Sequence, residues 1–245
     1  MSLKAKIFGL FNSIEDFFGA PKPSVVTLNY KDVLINDFVE QINYLEKNDY
    51  EFVTASDVAL YTRGEKKLNS RVVAITFDCE SQVPAFAKSF LESRNIPATV
   101  FYVSDFSDQL PLNWEIGCRG QNAQILSYKG AHFKKETADA KQIMENTINR
   151  PVLVFSYPKG KFSKFAIKNV QKAGFIGAFT IQNGFNHTNS NPYLINRVNV
   201  SKKQSLEEFK AKFHYWINLY WLFSRIFDIN IKYVLPVSKI DPGIT

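Results

Sequence analysis

The stretch Arg71–Glu80 reads RVVAITFDCE and decides the fold class. Its first part, Val72 to Phe77, is an apolar run rich in β-branched residues, typical of a strand buried on both faces of a parallel sheet. The run ends in the acid Asp78, and ligands in α/β folds bind at the carboxyl ends of such strands. Asp78 is therefore a candidate catalytic carboxylate. The alternative is that its side chain caps a following helix.

Segments with strand and helix patterns alternate outward from this stretch. Strands are predicted at 24–29, 51–54, 72–77, 97–103, 152–157, 176–181 and 194–200. Helices are predicted at 4–18, 34–47, 82–94, 135–148, 163–173 and 206–227. The alternation favours a parallel sheet with crossover helices. Residues 110–130 are the least regular stretch and are predicted to form a loop at the cleft.

Four further motifs follow the first in order. They read NIPATVFYV at 95–103, EIG at 115–117, FSYPKG at 155–160 and LINRVNV at 194–200. Together with TFDCE they resemble the polysaccharide deacetylase family, carbohydrate esterase family 4, which has the NodB-homology domain. The resemblance implies an α/β fold, a distorted and incomplete (β/α) barrel of about seven strands, here assigned to residues 24–205.

The sequence departs from this resemblance at the family's metal site. In the family motif TFDDG the first Asp is the general base and the second is a metal ligand. Here the base position is Asp78 and the metal position is Cys79. The second motif of the family supplies two His ligands, and those positions hold Arg119 and Ala123. Alanine cannot coordinate and a guanidinium has no lone pair to give, so the sequence predicts that no metal cofactor is bound.

Two interpretations of the replaced positions remain open. Arg119 either puts a fixed positive charge where the family has a cation and pairs with Asp78, or lies on a solvent-facing loop. Cys79 and Cys118, which the fold would put beside the same cleft, are expected to be ordinary half-buried thiols. The alternatives are a zinc site that also uses Glu80, and a disulfide.

The third motif predicts the substrate groove. The resemblance implies that Tyr157, Pro158 and Lys159 bind substrate together with Arg119, whereas the plain alternative is a turn that ends the strand. Lys159 stands where the family commonly has an aromatic residue. The family's late catalytic His has no clear counterpart. His187 lies in a polar loop and is expected to be solvated, and Arg197, at a family position near the last strand, is predicted to be structural.

The net charge and the sequences at the two ends of the chain indicate which kinds of partner to expect. The chain has 30 Lys and Arg against 23 Asp and Glu, a formal charge of +7, which suits an anionic partner or is an ordinary basic surface. No nucleic-acid motif accompanies the charge, and no nucleic acid is expected. Residues 1–23 predict an amphipathic helix rather than a signal peptide, which favours a cytoplasmic location.

The C-terminal part, 206–245, is predicted to be an aromatic helix and tail. Its apolar face contains Phe209, Phe213, Trp216, Ile217, Tyr220, Phe223 and Phe227. This face either packs on the barrel or on the N-terminal helix, contacts the inner face of a membrane, or forms a homodimer seam.

Two functions follow from the resemblance. One is a protein that binds an N-acetylated glycan or lipid-linked sugar in polysaccharide metabolism or glycan biosynthesis, with deacetylase activity lost or strongly altered. The other is an active carbohydrate N-deacetylase with a rebuilt site in which Asp78 is the base. A lone carboxylate lacks the several kcal/mol that a metal supplies to such a reaction, and this favours the first.

Overall fold

The computed structural model describes residues 25–31, 34–79, 83–127, 132–202 and 204–213. The described strands are β1 (Val25–Tyr30), β2 (Glu51–Val53), β3 (Val72–Asp78), β4 (Thr99–Tyr102), β5 (Glu115–Cys118), β6 (Val154–Ser156), β7 (Gly177–Phe179) and β8 (Val198–Val200). The described α-helices are α1 (Ile35–Lys47), α2 (Ala55–Thr62), α3 (Ala85–Glu92), α4 (Ala140–Ile148), α5 (Lys164–Lys172) and α6 (Leu206–Ala211). A π-helical turn, Lys135–Asp139, leads directly into α4.

The strands form one parallel sheet that curls into an incomplete barrel. Their order is β7-β6-β5-β4-β3-β1-β8, and β2 pairs with the first half of β3. The segment 195–200 reaches both ends of this order, because Ile195 bridges Phe179 of β7 while β8 pairs with β1. The predicted α/β incomplete barrel is confirmed, with seven strands across and β2 as an eighth.

Helix α2 closes the amino-terminal end of the barrel, where it contacts β1, β3, β6 and β7. Its start is fixed by a capping box between Thr54 and Asp57. The buried carboxylate of Glu115 accepts hydrogen bonds from Ser56 and from the hydroxyl of Thr99. Burial raises the pKa of Glu115 by more than these bonds lower it. These hydrogen bonds connect β5 to α2, the helix that closes the amino-terminal end of the barrel.

The barrel interior is mostly apolar toward the amino-terminal ends of the strands, apart from the Thr99–Glu115 pair, and polar around Asp78 at their carboxyl ends. Side chains alternate between the two faces of each strand, and the lower interior positions pack with α2 into one apolar cluster. That cluster consists of Val25, Val53, Ala55, Val58, Ala59, Tyr61, Val72, Ala74, Phe101, Val154, Phe179 and Ile195. A larger cluster fills the space between the sheet and the outer helices. The polar side chains around Asp78 thus lie at the carboxyl ends of the strands, opposite the Thr99–Glu115 pair.

Two elements differ from those predicted. Strand β5 lies inside the stretch 110–130 that was expected to be a loop. Its Gly117 is required by packing, because a Cβ there would lie 2.5 Å from the Phe101 ring. Helix α2 was not predicted, although its capping box is visible in the sequence as TASD. The predicted helix 4–18 and most of 206–227 lie outside the described residues.

The described part of the C-terminal helix packs on the barrel. Phe209 and Phe213 are buried, and their rings contact Tyr44 of α1, at centroid distances of 6.3 and 6.4 Å. Phe213 also meets Tyr50 at 5.2 Å. This part of the aromatic face therefore follows the packing alternative, while Trp216 to Phe227 lie outside the described residues. Within the described ranges, no helix has both the length and the apolar character needed to cross a membrane.

Candidate functional site

Asp78 is the last residue of β3 and its side chain points into the upper, polar half of the barrel. The carboxylate forms a bidentate ion pair with Arg197, with Nη1 2.7 Å from Oδ1 and Nη2 2.9 Å from Oδ2. The hydroxyl of Ser156 donates to Oδ1 at 3.1 Å. The Arg197 side chain is fully buried and that of Asp78 is 3% exposed. The candidate base is therefore an ion-paired carboxylate with little access to water.

The guanidinium of Arg197 uses all five of its N–H donors. Nε donates to Thr180 O at 2.7 Å, Nη1 to Asp78 and to Asn29 Oδ1, and Nη2 to Asp78 and to Ser156 Oγ. The ring of Phe101 lies beneath the group, with Cζ 5.4 Å from its centroid. With every donor engaged, the guanidinium serves to hold Asp78 rather than to contact a ligand.

The ionisation of Asp78 follows from this environment. Burial alone would raise its pKa, but the charge of Arg197 and its hydrogen bonds, then the charge of Arg119 and the Ser156 bond, outweigh burial and lower the pKa. Asp78 is therefore an anion at neutral pH. Its assignment as a catalytic base remains a prediction.

The two positions that correspond to the family's His ligands lie on the loop after β5. Arg119 is 7% exposed, so the solvent-facing alternative for this residue is wrong. Its charge lowers the pKa of Asp78, although Arg197 has the larger effect. The direct hydrogen bonds described for Asp78 come from Arg197 and Ser156, and the proposed Arg119–Asp78 pairing remains a prediction. Ala123 has a left-handed backbone, with φ of 49°.

A buried carboxylate organises this loop. Glu136, in the π-helical turn, is 1% exposed and accepts hydrogen bonds from the main-chain N–H groups of Asn122 and Gln124. Gly120 has φ of 97°, and a Cβ there would collide with the Glu136 carboxylate. The conformation of the loop that contains Arg119 and Ala123 therefore depends on Glu136.

The cysteines face away from Asp78. Because side chains alternate along a strand, Cys79 points to the helix side, where it shares the outer apolar cluster with Cys118. In the sheet β4 lies between them, which puts the two backbones about 10 Å apart, beyond disulfide reach. Both are free thiols, and burial raises the pKa of each to about 12. The expectation that both flank the cleft is wrong.

This arrangement does not fit a metal ion. Cys79 and Cys118 lie in the apolar cluster on the helix side of the sheet, so neither thiol faces Asp78. Arg119 and Ala123 offer no ligand atom. Across the described ranges, no group of three or more His, Cys, Asp or Glu side chains is placed to hold a metal. Glu80 lies outside those ranges.

The third motif contributes less to the cleft than expected. Tyr157 is fully buried and its hydroxyl donates to Tyr193 O at 3.2 Å. It points outward because Ser156, its neighbour, points inward, so its predicted contact with substrate does not suit this geometry. Pro158 is buried as well. Lys159 is exposed and has a left-handed backbone, with φ of 53°, so it is the member of the motif that can reach a ligand.

Several residues of the site were missed by sequence reasoning. Ser156, Asn29 and Thr180 were not singled out, and Arg197 was regarded only as structural. One signal was available, because Ser156 follows Val154 by two residues and must share the interior face of β6. His187 is exposed on its loop, in agreement with the expected solvated position.

Comparison with known proteins agrees with this architecture. Residues 65–178 match the sequence profile of the family described as Polysaccharide deacetylase. YxkH from Bacillus subtilis (strain 168) is 23% identical to this chain over 190 residues. Its name describes it as a candidate polysaccharide deacetylase. The match spans 71% of this chain and 68% of YxkH.

Solved structures share the fold at low sequence identity. The Streptococcus pyogenes deacetylase PplD, solved in complex with acetate, superposes with a TM-score of 0.69 at 14% identity, over 79% of this chain and 98% of PplD. IcaB from Ammonifex degensii gives 0.66 at 18% identity, over 77% and 95% of the two chains. The barrel and the order of the motifs agree with the profile match, and residues 65–178 are those of a polysaccharide deacetylase family domain.

Proposed function

We propose that this protein binds an N-acetylated glycan or lipid-linked sugar at the carboxyl end of its barrel and has lost the metal-dependent deacetylation of its family. The observation that carries the proposal is the identity of the ligand positions. Arg119 and Ala123 stand where the family has two His ligands, and neither side chain can coordinate a metal. The substrate class is taken from the family, whose members act on polysaccharides.

The state of Asp78 supports the loss of activity. Its carboxylate is 3% exposed and both oxygens accept hydrogen bonds from Arg197. A general base works best when its pKa lies near the operating pH, and the pKa of Asp78 is lowered instead. An anionic carboxylate enclosed in this way is suited to holding the polar network at the carboxyl end of the barrel rather than to removing a proton from water.

Binding and catalysis can be tested separately. Calorimetric titration with chito-oligosaccharides should show binding, and the N-acetylated form should bind more tightly than the fully deacetylated form. Acetate release from the same oligosaccharides should equal that of a protein-free blank, with and without added zinc. Acetate release that is lost in an Asp78→Asn variant would support the alternative, an active N-deacetylase with a rebuilt site.

The position of the glycan can be tested with a pair of exposed lysines. Lys159→Ala should weaken glycan binding, because Lys159 lies on the loop that follows β6 at the cleft. Lys168→Ala, on the outer helix α5, is the matched control and should leave binding unchanged. Equal affinities for both variants and the parent would place the glycan elsewhere.

Metal content gives a third, independent measurement. Protein purified without chelator should contain far less than one equivalent of zinc, cobalt or nickel by elemental analysis. Stoichiometric metal that is lost in a Cys79→Ala variant would overturn the proposal and support a zinc site built on the cysteines.

A further inference from the structure

A chain of side-chain amides connects the main-chain carbonyl of Ile181 to the guanidinium of Arg197. Asn199 Nδ2 donates to Ile181 O at 2.8 Å, and Asn29 Nδ2 donates to Asn199 Oδ1 at 2.9 Å. Arg197 Nη1 then donates to Asn29 Oδ1 at 3.2 Å and to Asp78 Oδ1 at 2.7 Å. The two asparagines are direct partners in the β1–β8 register, which is why their amides meet.

The direction of every bond in this chain is determined by its ends. A carbonyl oxygen only accepts and a guanidinium only donates. Asn199 must therefore turn its NH₂ group toward Ile181, which leaves its oxygen for Asn29. Asn29 must in turn present its oxygen to Arg197. Reversing either amide would bring two donors or two acceptors together, so one orientation of both amides satisfies the whole chain.

The other partners of these residues restrict them further. Asn29 is 1% exposed, so water cannot replace a bond that it loses. The main-chain N–H of Asn199 donates to Asn183 Oδ1 at 3.1 Å, which ties β8 to the loop after β7. These contacts fix the position of Asn29 Oδ1, the amide oxygen that accepts from Nη1 of Arg197.

We propose that Asn29 and Asn199 are positioning residues that hold the Arg197 guanidinium in the single orientation in which it pairs with Asp78 through both oxygens. Nη1 lies between two acceptors, the Asn29 amide and the Asp78 carboxylate, and its two hydrogens are divided between them. Loss of the amide acceptor frees one hydrogen and removes one of the hydrogen bonds that restrain rotation about the Nε–Cζ bond. The consequence for ligand binding rests on the proposed function, whereas the orientation of Arg197 does not.

The test uses the full chain without any glycan and observes the guanidinium directly by NMR. In the parent protein the Nη hydrogens of Arg197 should give separate signals because rotation is slow. Asn29→Ala should accelerate the exchange between these signals by about tenfold or more, since it removes a hydrogen bond to a charged group, which is worth at least that factor. Asn199→Leu leaves the Asn29 amide free to turn and should accelerate the exchange by more than about twofold, and it covers the case in which the first variant does not fold.

The matched control is Gln41→Leu. Gln41 is also a buried amide, 2% exposed, and accepts a hydrogen bond from Tyr30 at 2.9 Å on the helix side of the sheet. Its loss should lower stability but leave the exchange of the Arg197 signals unchanged. Exchange rates within about twofold of the parent in both Asn29→Ala and Asn199→Leu would overturn the inference, whatever the glycan measurements show.

Discussion

At the scale of single residues, the Asp78–Arg197 pair dominates the site. Both side chains are almost completely removed from water, so neither charge retains the hydration it has in the unfolded chain. Hydrogen bonds offset this loss of hydration, because all five guanidinium donors and both carboxylate oxygens have partners. A pair of this kind stabilises the fold only as long as both members are present.

Removing Arg197 should therefore be costly. Arg197→Leu leaves the Asp78 carboxylate buried without its partner, and we expect the free energy of unfolding to fall by about 3–5 kcal/mol in urea titrations. Arg63→Leu is the control, since Arg63 pairs with Glu65 at 2.6 Å but both side chains are well exposed, and it should cost less than about 1 kcal/mol. A similar loss of unfolding free energy in both variants would contradict the larger contribution of the buried Asp78–Arg197 pair.

The pair also sets the response of stability to acid. The pKa of Asp78 is lowered from its ordinary value of 3.8, so its stabilisation is fully present above that value and is lost as the pH falls through the lowered pKa. The parent should lose stability more steeply below about pH 4 than an Asp78→Asn variant. Urea unfolding at a series of pH values measures both slopes, and identical slopes would refute the assignment.

At the scale of elements, the loop after β5 depends on a side chain from a different segment. Glu136 accepts two main-chain N–H groups of this loop although it lies 12 to 14 residues further along the chain. A π-helical turn often marks a functional site, and here it contains the residue that shapes the loop with Arg119.

Removing the Glu136 carboxylate should loosen the loop after β5. Glu136→Ala leaves buried N–H groups without an acceptor, which costs about 1–3 kcal/mol, and hydrogen exchange at Asn122 and Gln124 should accelerate. Glu145→Ala on the adjacent helix α4 is the control. Glu145 accepts from Val152 N at 2.9 Å, so its loss should accelerate exchange there and leave the loop protected. Unchanged exchange at Asn122 in the Glu136 variant would contradict this role.

The packing of the chain that directly follows α6 can be tested with Phe213, and Phe165 is the control. Phe213 is 6% exposed and Phe165 is 68% exposed. Phe213→Ala should lower the free energy of unfolding by about 3–5 kcal/mol, whereas Phe165→Ala on α5 should change it by less than about 0.5 kcal/mol. Thermal or urea unfolding distinguishes the two variants, and a small effect at Phe213 would mean that the segment following α6 is not part of the cooperative unit.

At the scale of the whole molecule, sequence predicted the barrel better than the site. The run Val72–Phe77 is buried on both faces and therefore carries a strong local pattern. Strand β5 has only four residues and includes Gly117, so it offers no such pattern. The partner of Asp78 is 119 residues away, and no local rule connects the two. The alternation that turns Cys79 away from Asp78 was available, and it contradicts a cysteine site in the cleft.

The excess of positive charge gives a prediction for the complete chain. With a formal charge of +7, the protein should sediment with anionic vesicles at low salt and be released at high salt, because each basic residue near such a surface contributes about 1 kcal/mol and salt screens it. Neutral vesicles are the control. A chain that stays in the supernatant with anionic vesicles at low salt would rule out this membrane contact.

The segment 195–200 that reaches both edges of the sheet has a consequence for the order of assembly. Chains are made from the N-terminus, so β1 and β3 are complete long before β8 exists. Until Val198–Val200 emerges, β1 keeps one open edge, a hazard for pairing with other chains. Asp78 lacks its Arg197 partner for the same interval, since Arg197 arrives on that segment. The ion pair can therefore form only in a chain synthesised to its last strand, and a nascent protein that stops earlier has neither a sealed sheet nor a finished cleft.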